Sequence, residues 1–209
     1  MLKLTLHKDR KSWNSVLAEF PNHDFGHTYD FHLISQHNGE GSPILFHISD
    51  TSGISVLCWP ALRRTIEGSE FFDLTSVYGY SGPLINDSAL INPCLDLLYD
   101  EMKRMKIVTL FVRTHPLLGD SSLDTACESL HVGNVVVIDL KCQRTTIDSY
   151  RVNHRRDIRK SLQSGVITTI DRRCQHLKEF IRLYHHTMHD LGAREYYLFN
   201  ERYFSELTA

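Results

Sequence analysis

Neither sign of charge is in excess in this 209-residue chain: 23 Lys and Arg stand against 25 Asp and Glu, a net charge of −2. That balance argues against a protein that coats nucleic acid through bulk charge, and we expect no specific DNA binding. Long apolar runs are missing too, so no segment reaches the roughly 20 residues of a membrane span. The opening Met1-Leu2-Lys3-Leu4-Thr5-Leu6 alternates like a strand and lacks the apolar centre of a signal peptide. The five cysteines, Cys58, Cys94, Cys127, Cys142 and Cys174, are odd in number and scattered, with no C-x-x-C pair. They indicate reduced thiols in a cytoplasmic protein rather than a disulfide frame or a zinc site. There is no Walker loop, no G-x-G-x-x-G, no G-x-S-x-G elbow, no internal repeat and no low-complexity linker. No single motif therefore dictates a reaction.

What is present is a globular composition, 42% hydrophobic, long enough for one large domain or one domain plus part of another. Leu2 to Leu6 predicts a short strand. Asp9 suits a helix N-cap ahead of Trp13, Val16, Leu17 and Phe20 on one face, and Pro21 ends that helix. His27 to Ser35 has weak helical periodicity. Ser42 to Ser49 and Ile54 to Trp59, joined by Asp50-Thr51-Ser52-Gly53, predict an antiparallel hairpin. Asn92-Pro93 reads as a cap followed by proline at the first helical position, with Leu95, Leu98, Met102 and Met105 in phase and Asp100–Arg104 as an i,i+4 pair. Ile107 to Val112 and Val132 to Leu140 have the composition of strands covered on both faces.

Asp120 or Ser121 can cap a helix carrying Leu123, Ala126, Cys127 and Leu130, and Thr145 or Thr146 opens a further helical region that Gly165 closes. Val166 to Ile170 predicts a strand. Leu177, Ile181, Tyr184, Met188 and Leu191 trace the best-patterned helix, and Tyr203 to Leu207 opens another. Strands alternating with helices indicate a layered α/β architecture with a mixed sheet.

The stretch around which the rest is organised runs from Phe71 to Pro83. An apolar, β-branched run leads into Tyr78-Gly79-Tyr80, and Gly82-Pro83 follows. The glycines permit φ > 0 or close backbone approach, so the turn can present two phenols at a strand end, where substrate pockets form. An ordinary turn with two half-buried tyrosines fits the same spacing. Arg151, Arg155, Arg156, Arg159 and Lys160 crowd ten residues; Arg151, Arg155 and Arg159 lie at i, i+4, i+8, on one side of a continuous helix. They suit a phosphate, a carboxylate or an RNA backbone, or simply a solvated face paired with Asp148 and Asp157. His185 and His189 are i,i+4, but no glutamate stands between them and no third ligand is evident, so we expect no metal. His115, before Pro116 at a strand end, is better placed for proton transfer.

Four stretches carry a family resemblance. Asp73-Leu74-Thr75-Ser76-Val77-Tyr78-Gly79-Tyr80-Ser81-Gly82-Pro83 resembles the D-x-T-S-x-Y-G-Y-x-G-P segment of bacterial FemAB-like acyltransferases, members of the GNAT (acyl-CoA N-acyltransferase) superfamily. Phe111-Val112-Arg113-Thr114-His115-Pro116-Leu117 is similar to the family's F-x-R-x-H-P-L strand end. Ile158-Arg159-Lys160-Ser161 with Gly165 resembles its I-R-K-A-x-x-x-G helix end. Tyr184 to Met188, Ala193 and Tyr196-Tyr197-Leu198-Phe199 resemble its Y-x-x-T-M…A-x-x-Y-Y-x-F segment.

The resemblance implies an α/β fold of two GNAT-like halves, each a mixed β-sheet flanked by helices. It assigns residues 1–165 to a first domain and 166–209 to the start of an incomplete second one. It implies transfer of an acyl or aminoacyl group to an amine of a cell-wall or surface-polysaccharide precursor. The donor would be acyl-CoA or aminoacyl-tRNA as co-substrate, with no intrinsic cofactor. A non-catalytic GNAT-like module that binds an anionic glycan or nucleotide-sugar is the alternative. The superfamily's pyrophosphate loop, Q/R-x-x-G-x-G/A, is read as absent. Tyr78, Tyr80, Arg113, Arg155, Arg159 and Lys160 are the expected substrate-binding residues, the last three holding a diphosphate or other anion of the acceptor. Asp73 and His115 are the candidate proton acceptors.

Overall fold

The computed structural model describes residues 1–138 and 150–209. The expected helix opening at Thr145 or Thr146 lies outside the described residues. Six strands form one mixed sheet: β1 (Leu2–His7), β2 (Ser42–Asp50), β3 (Ser55–Thr65), β4 (Phe72–Thr75), β5 (Leu84–Ile85) and β6 (Ile107–Phe111). The order is β1-β2-β3-β4-β6, and β5 pairs with β3 beyond the reach of β4. Every pairing is antiparallel except β4–β6, which is parallel, with Thr75 opposite Phe111.

The hairpin forms where the sequence places it. Asp50 Oδ1 accepts the N–H groups of Ser52 and Ile54, and Gly53 takes φ +89°. β3 runs longer than predicted and is buried on both faces from Ser55 to Leu62. It accommodates Pro60 because β5 pairs with Leu57 and Cys58 while β4 pairs with Leu62 to Thr65. Pro60 falls between these partners, where a residue without an N–H is tolerated.

Alternation along the strands sends side chains to two cores. Ile44, Phe46, Ile48, Trp59 and Leu74 meet α3 (Ile91–Arg104) through Ile91, Cys94, Leu95, Leu98 and Met102. On the other face Leu45, Cys58 and Leu84 meet α1 (Arg10–Leu17) and the turn after it, through Trp13, Val16, Leu17 and Phe20. Asp9 is the N-cap of α1 as expected, accepting from Ser12 N at 3.0 Å. A 3₁₀ turn, Phe25–His27, leads into α2 (Tyr29–His37). The remaining helices among the described residues are α4 (Ser122–Ala126), α5 (Val152–Gln163), α6 (Leu177–Asp190) and α7 (Glu201–Leu207). α6 and α7 close against α2 through Ile34, Ile181, Tyr184, Phe199, Tyr203 and Phe204. Among the described residues no helix is long and apolar enough to cross a membrane.

Several local expectations are corrected. α3 starts at Ile91, fed by a 3₁₀ turn capped by Asp87, so Asn92-Pro93 lie inside its first turn, where a missing N–H costs nothing. Arg104 pairs with Glu101, and Lys103 with Asp100, in place of Asp100–Arg104. The described part of the Val132 run and the Val166–Ile170 run form no strand; Val132, Val136, Ile167 and Ile170 are all exposed. Strand propensity there finds no pairing edge or covering layer to act on.

Candidate functional site

A cleft of about 640 Å³ opens where β4 and β6 end side by side. The carboxyl ends of parallel strands are a recurrent ligand position, because the chain must diverge there and leaves a crevice. Ser76 N donates to Phe111 O at 3.0 Å, and Arg113 N donates to Ser76 Oγ at 3.2 Å, so the two strand exits are stitched together. Thr75, Ser76, Phe111 and Arg113 form one wall. Asn38, Gly39 and Glu40, just after α2, form a second. Glu195, Tyr196 and Leu198 of the turn before α7 form a third, and Arg64 of β3 completes the lining.

Each wall is fixed by local physics. α2 stops in a Schellman arrangement: Gly39, at φ +81°, donates to Gln36 O, and Glu40 N donates to Ser35 O. Gly41 then passes so close to β3 that a Cβ there would lie 2.9 Å from Arg63 O. The third wall is held by Asn200, which caps α7 through Tyr203 N and donates to Asn38 Oδ1 at 3.3 Å.

The charges lining the cleft divide into matched and unmatched ones. Arg64 and Asp73 are cross-strand partners joined by two hydrogen bonds of 2.7 and 2.8 Å. The hydrogen bond to Asp73 raises the Arg64 pKa above its ordinary value. The half-buried Arg113 forms no ion pair with an acid among the described residues; its guanidinium lies 5.1 Å from the Phe111 ring centroid. Glu40 forms no ion pair among the described residues either; it accepts Asn38 Nδ2 at 2.8 Å. Tyr196 feels both of these charges: burial pushes its phenol up, the Glu40 carboxylate adds to that, and the Arg113 guanidinium, which it hydrogen-bonds, opposes it.

The expected site residues divide as well. Arg113 lines the cleft. Tyr78 stands behind it, its ring packed on Tyr196, Tyr197 and, at 5.1 Å, Phe199. Gly79 adopts φ +111° as the turn needs, whereas Gly82 serves close approach: a Cβ there would sit 2.9 Å from Thr114 Cα. Tyr80 points to the other side, edge-on to His115 at 6.3 Å. Arg155, Arg159 and Lys160 are absent from the cleft lining; they lie on α5, which buries no residue, with Arg151 as its N-cap.

Both candidate proton acceptors are engaged. Asp73 is held by Arg64. His115 Nδ1 accepts the N–H groups of Leu117 and Leu118 at 3.1 and 3.0 Å, so the ring proton sits on Nε2, 3.1 Å from Asp24 Oδ2. Asp24 Oδ1 in turn receives Gly26 N at 2.9 Å and His27 Nδ1 at 2.6 Å. His27 is fully buried, and burial lowers its pKa despite the carboxylate. Among the described residues no group of three or more His, Cys, Asp or Glu could hold a metal. His185 instead contacts Phe199 O at 2.7 Å.

Glu40, Arg64, Glu195 and Tyr196 are the functional candidates that sequence reasoning missed. One signal was available. Gln36-His37-Asn38-Gly39-Glu40-Gly41 does match the Q/R-x-x-G-x-G/A spacing read as absent. The fold gives the match another meaning: it ends a helix instead of starting one, and the Gly39 and Glu40 N–H groups close that helix rather than face an anion. No family model and no curated protein matches the chain.

Proposed function

We propose that the chain is a GNAT-like half of FemAB type, and that the cleft at the ends of β4 and β6 holds the acceptor for N-acyl or aminoacyl transfer. One observation carries this reading. Residues from three of the four motif stretches, namely Thr75 and Ser76, Phe111 and Arg113, and Tyr196 and Leu198, line a single cleft although they lie far apart in the chain. The mixed α/β sheet is compatible with such a half.

In the reaction a neutral amine of a cell-wall or surface-polysaccharide precursor attacks the carbonyl carbon of the donor. The new C–N bond replaces the thioester C–S bond of acyl-CoA or the ester C–O bond of aminoacyl-tRNA. The amine loses one proton, and the departing thiolate or alkoxide gains one. With Asp73 and His115 engaged elsewhere, the carboxylates placed to take the amine proton are Glu40 and Glu195. Arg113 supplies a fixed positive charge for an anionic part of the acceptor.

The test is amide formation from labelled acyl-CoA or aminoacyl-tRNA with peptidoglycan-precursor amines. Acceptor-dependent product that falls at least about tenfold in Arg113→Ala supports the proposal. No product from either donor class contradicts it.

A second reading, a non-catalytic GNAT-like module for an anionic glycan or nucleotide-sugar, draws on the same engagement of Asp73 and His115. Saturable binding of UDP-linked sugars, with neither donor bound and no transfer, would favour it.

A further inference from the structure

We infer that the cleft recognises a zwitterion, a ligand carrying an ammonium and a carboxylate together, as a free amino acid or an amino-acid side chain with both groups does. The inference rests on the reading of this cleft as the acceptor site and narrows what that acceptor is.

A cleft lined by one sign of charge selects an ion. A cleft whose opposite charges are paired with each other selects neither. This cleft does something else. Arg64 is neutralised by Asp73. Arg113 and Glu40 line the same cleft, yet neither forms an ion pair with any described residue. Tyr196 lines the cleft with them, hydrogen-bonds Arg113 and feels the charge of both, so the two charges lie within electrostatic reach of one phenol. Glu40 meets Arg64 only beyond ion-pair distance, and Arg113 meets the neutral Tyr196 phenol, so both half-buried charges lose hydration while keeping valence that a ligand can match.

The backbone reinforces the polarity. Glu40 follows the C-terminus of α2, the negative end of a helix, so that wall favours a cation. On the wall made by the strand exits Arg113 lies over the Phe111 ring, which orients a planar fork suited to a carboxylate. A diphosphate would meet Arg113 but would also face Glu40 and Glu195, and that repulsion argues for the smaller, doubly charged ligand. For transfer, the same carboxylate that holds the ammonium stands ready to accept its proton.

The experiment compares three probes on the unmodified chain by calorimetry or NMR titration: L-lysine, hexanoate as the carboxylate alone, and cadaverine as the diamine without a carboxylate. We expect L-lysine to bind at least about tenfold tighter than either. Arg113→Met should erase its advantage over cadaverine, and Glu40→Gln its advantage over hexanoate. Equal binding of lysine and hexanoate, equal binding of lysine and cadaverine, or no saturable binding of lysine overturns the inference. Transfer without a preference for lysine sinks this inference and leaves the acyltransfer reading standing. A preference for lysine with no transfer from any donor does the reverse.

Discussion

Arg113 and His115 leave the same strand with only Thr114 between them, and they end in opposite situations. His115 has an acceptor or donor for each ring nitrogen and belongs to a hydrogen-bonded set with Asp24, His27 and the Leu117–Leu118 backbone. Arg113 faces a cleft and has no carboxylate among the described residues. One side chain builds the fold and the other is available to a ligand. Residue type did not separate them, since a histidine at a strand end is as plausible a catalyst as an arginine. Unmatched valence did.

The contrast breaks most visibly at Asp24. Asp24→Ala leaves the buried His27 N–H without its acceptor and removes the cap on Gly26 N, and should cost about 3 kcal/mol in urea unfolding. Binding of lysine to the folded protein should not change. A nearly neutral substitution would mean that the histidine side is no more committed than the arginine side.

The same structural side has a pH signature. Burial lowers the His32 pKa from 6.5 to about 4. The unfolded chain therefore binds the proton that the folded chain refuses, and stability falls as pH drops from 6.5 toward about 4, by up to roughly 3 kcal/mol, then levels off. Burial lowers His27, His7 and His47 in the same direction. Unfolding at a series of pH values in wild type and His32→Gln measures the difference, whose pH dependence should vanish above pH 7.

Gly82→Ala acts on both sides at once. Its Cβ would meet Thr114 Cα at 2.9 Å, against backbone that cannot give way cheaply, so we expect a loss of about 2 kcal/mol together with weaker ligand binding. Arg64→Met removes a partly exposed ion pair and should cost less than about 1 kcal/mol. Arg113→Met should be the mildest for stability, within about 0.5 kcal/mol, while carrying the largest effect on ligand preference.

Local order was legible in the sequence wherever neighbours in the chain decide it. The Asp9 cap, the Trp13–Val16–Leu17–Phe20 face, the Asp50–Gly53 turn and the Leu95–Leu98–Met102 stripe all follow from periodicity and turn chemistry. The cleft was not legible, because it joins the end of α2, the exits of β4 and β6, and the turn before α7. No spacing rule links Glu40 to Tyr196; Tyr78 packing on Tyr196 and Asn200 bonding to Asn38 bring them together. The valine and isoleucine runs at 132–138 and 166–170 failed for the converse reason: propensity was strong, but strands exist only in pairs. Arginine spacing held for Arg155 and Arg159 on α5 but not for Arg151, which stays outside the helix as its N-cap, and it said nothing of what that face meets.

The most direct measurement is a map of backbone amide shifts while L-lysine is added to the isotopically labelled protein. The account predicts saturable shifts at Glu40, Ser76, Arg113 and Tyr196, with His27 unmoved and Arg155 and Arg159 silent. Shifts gathered on α5, or around Asp24 and His27, with the cleft unaffected, would contradict it.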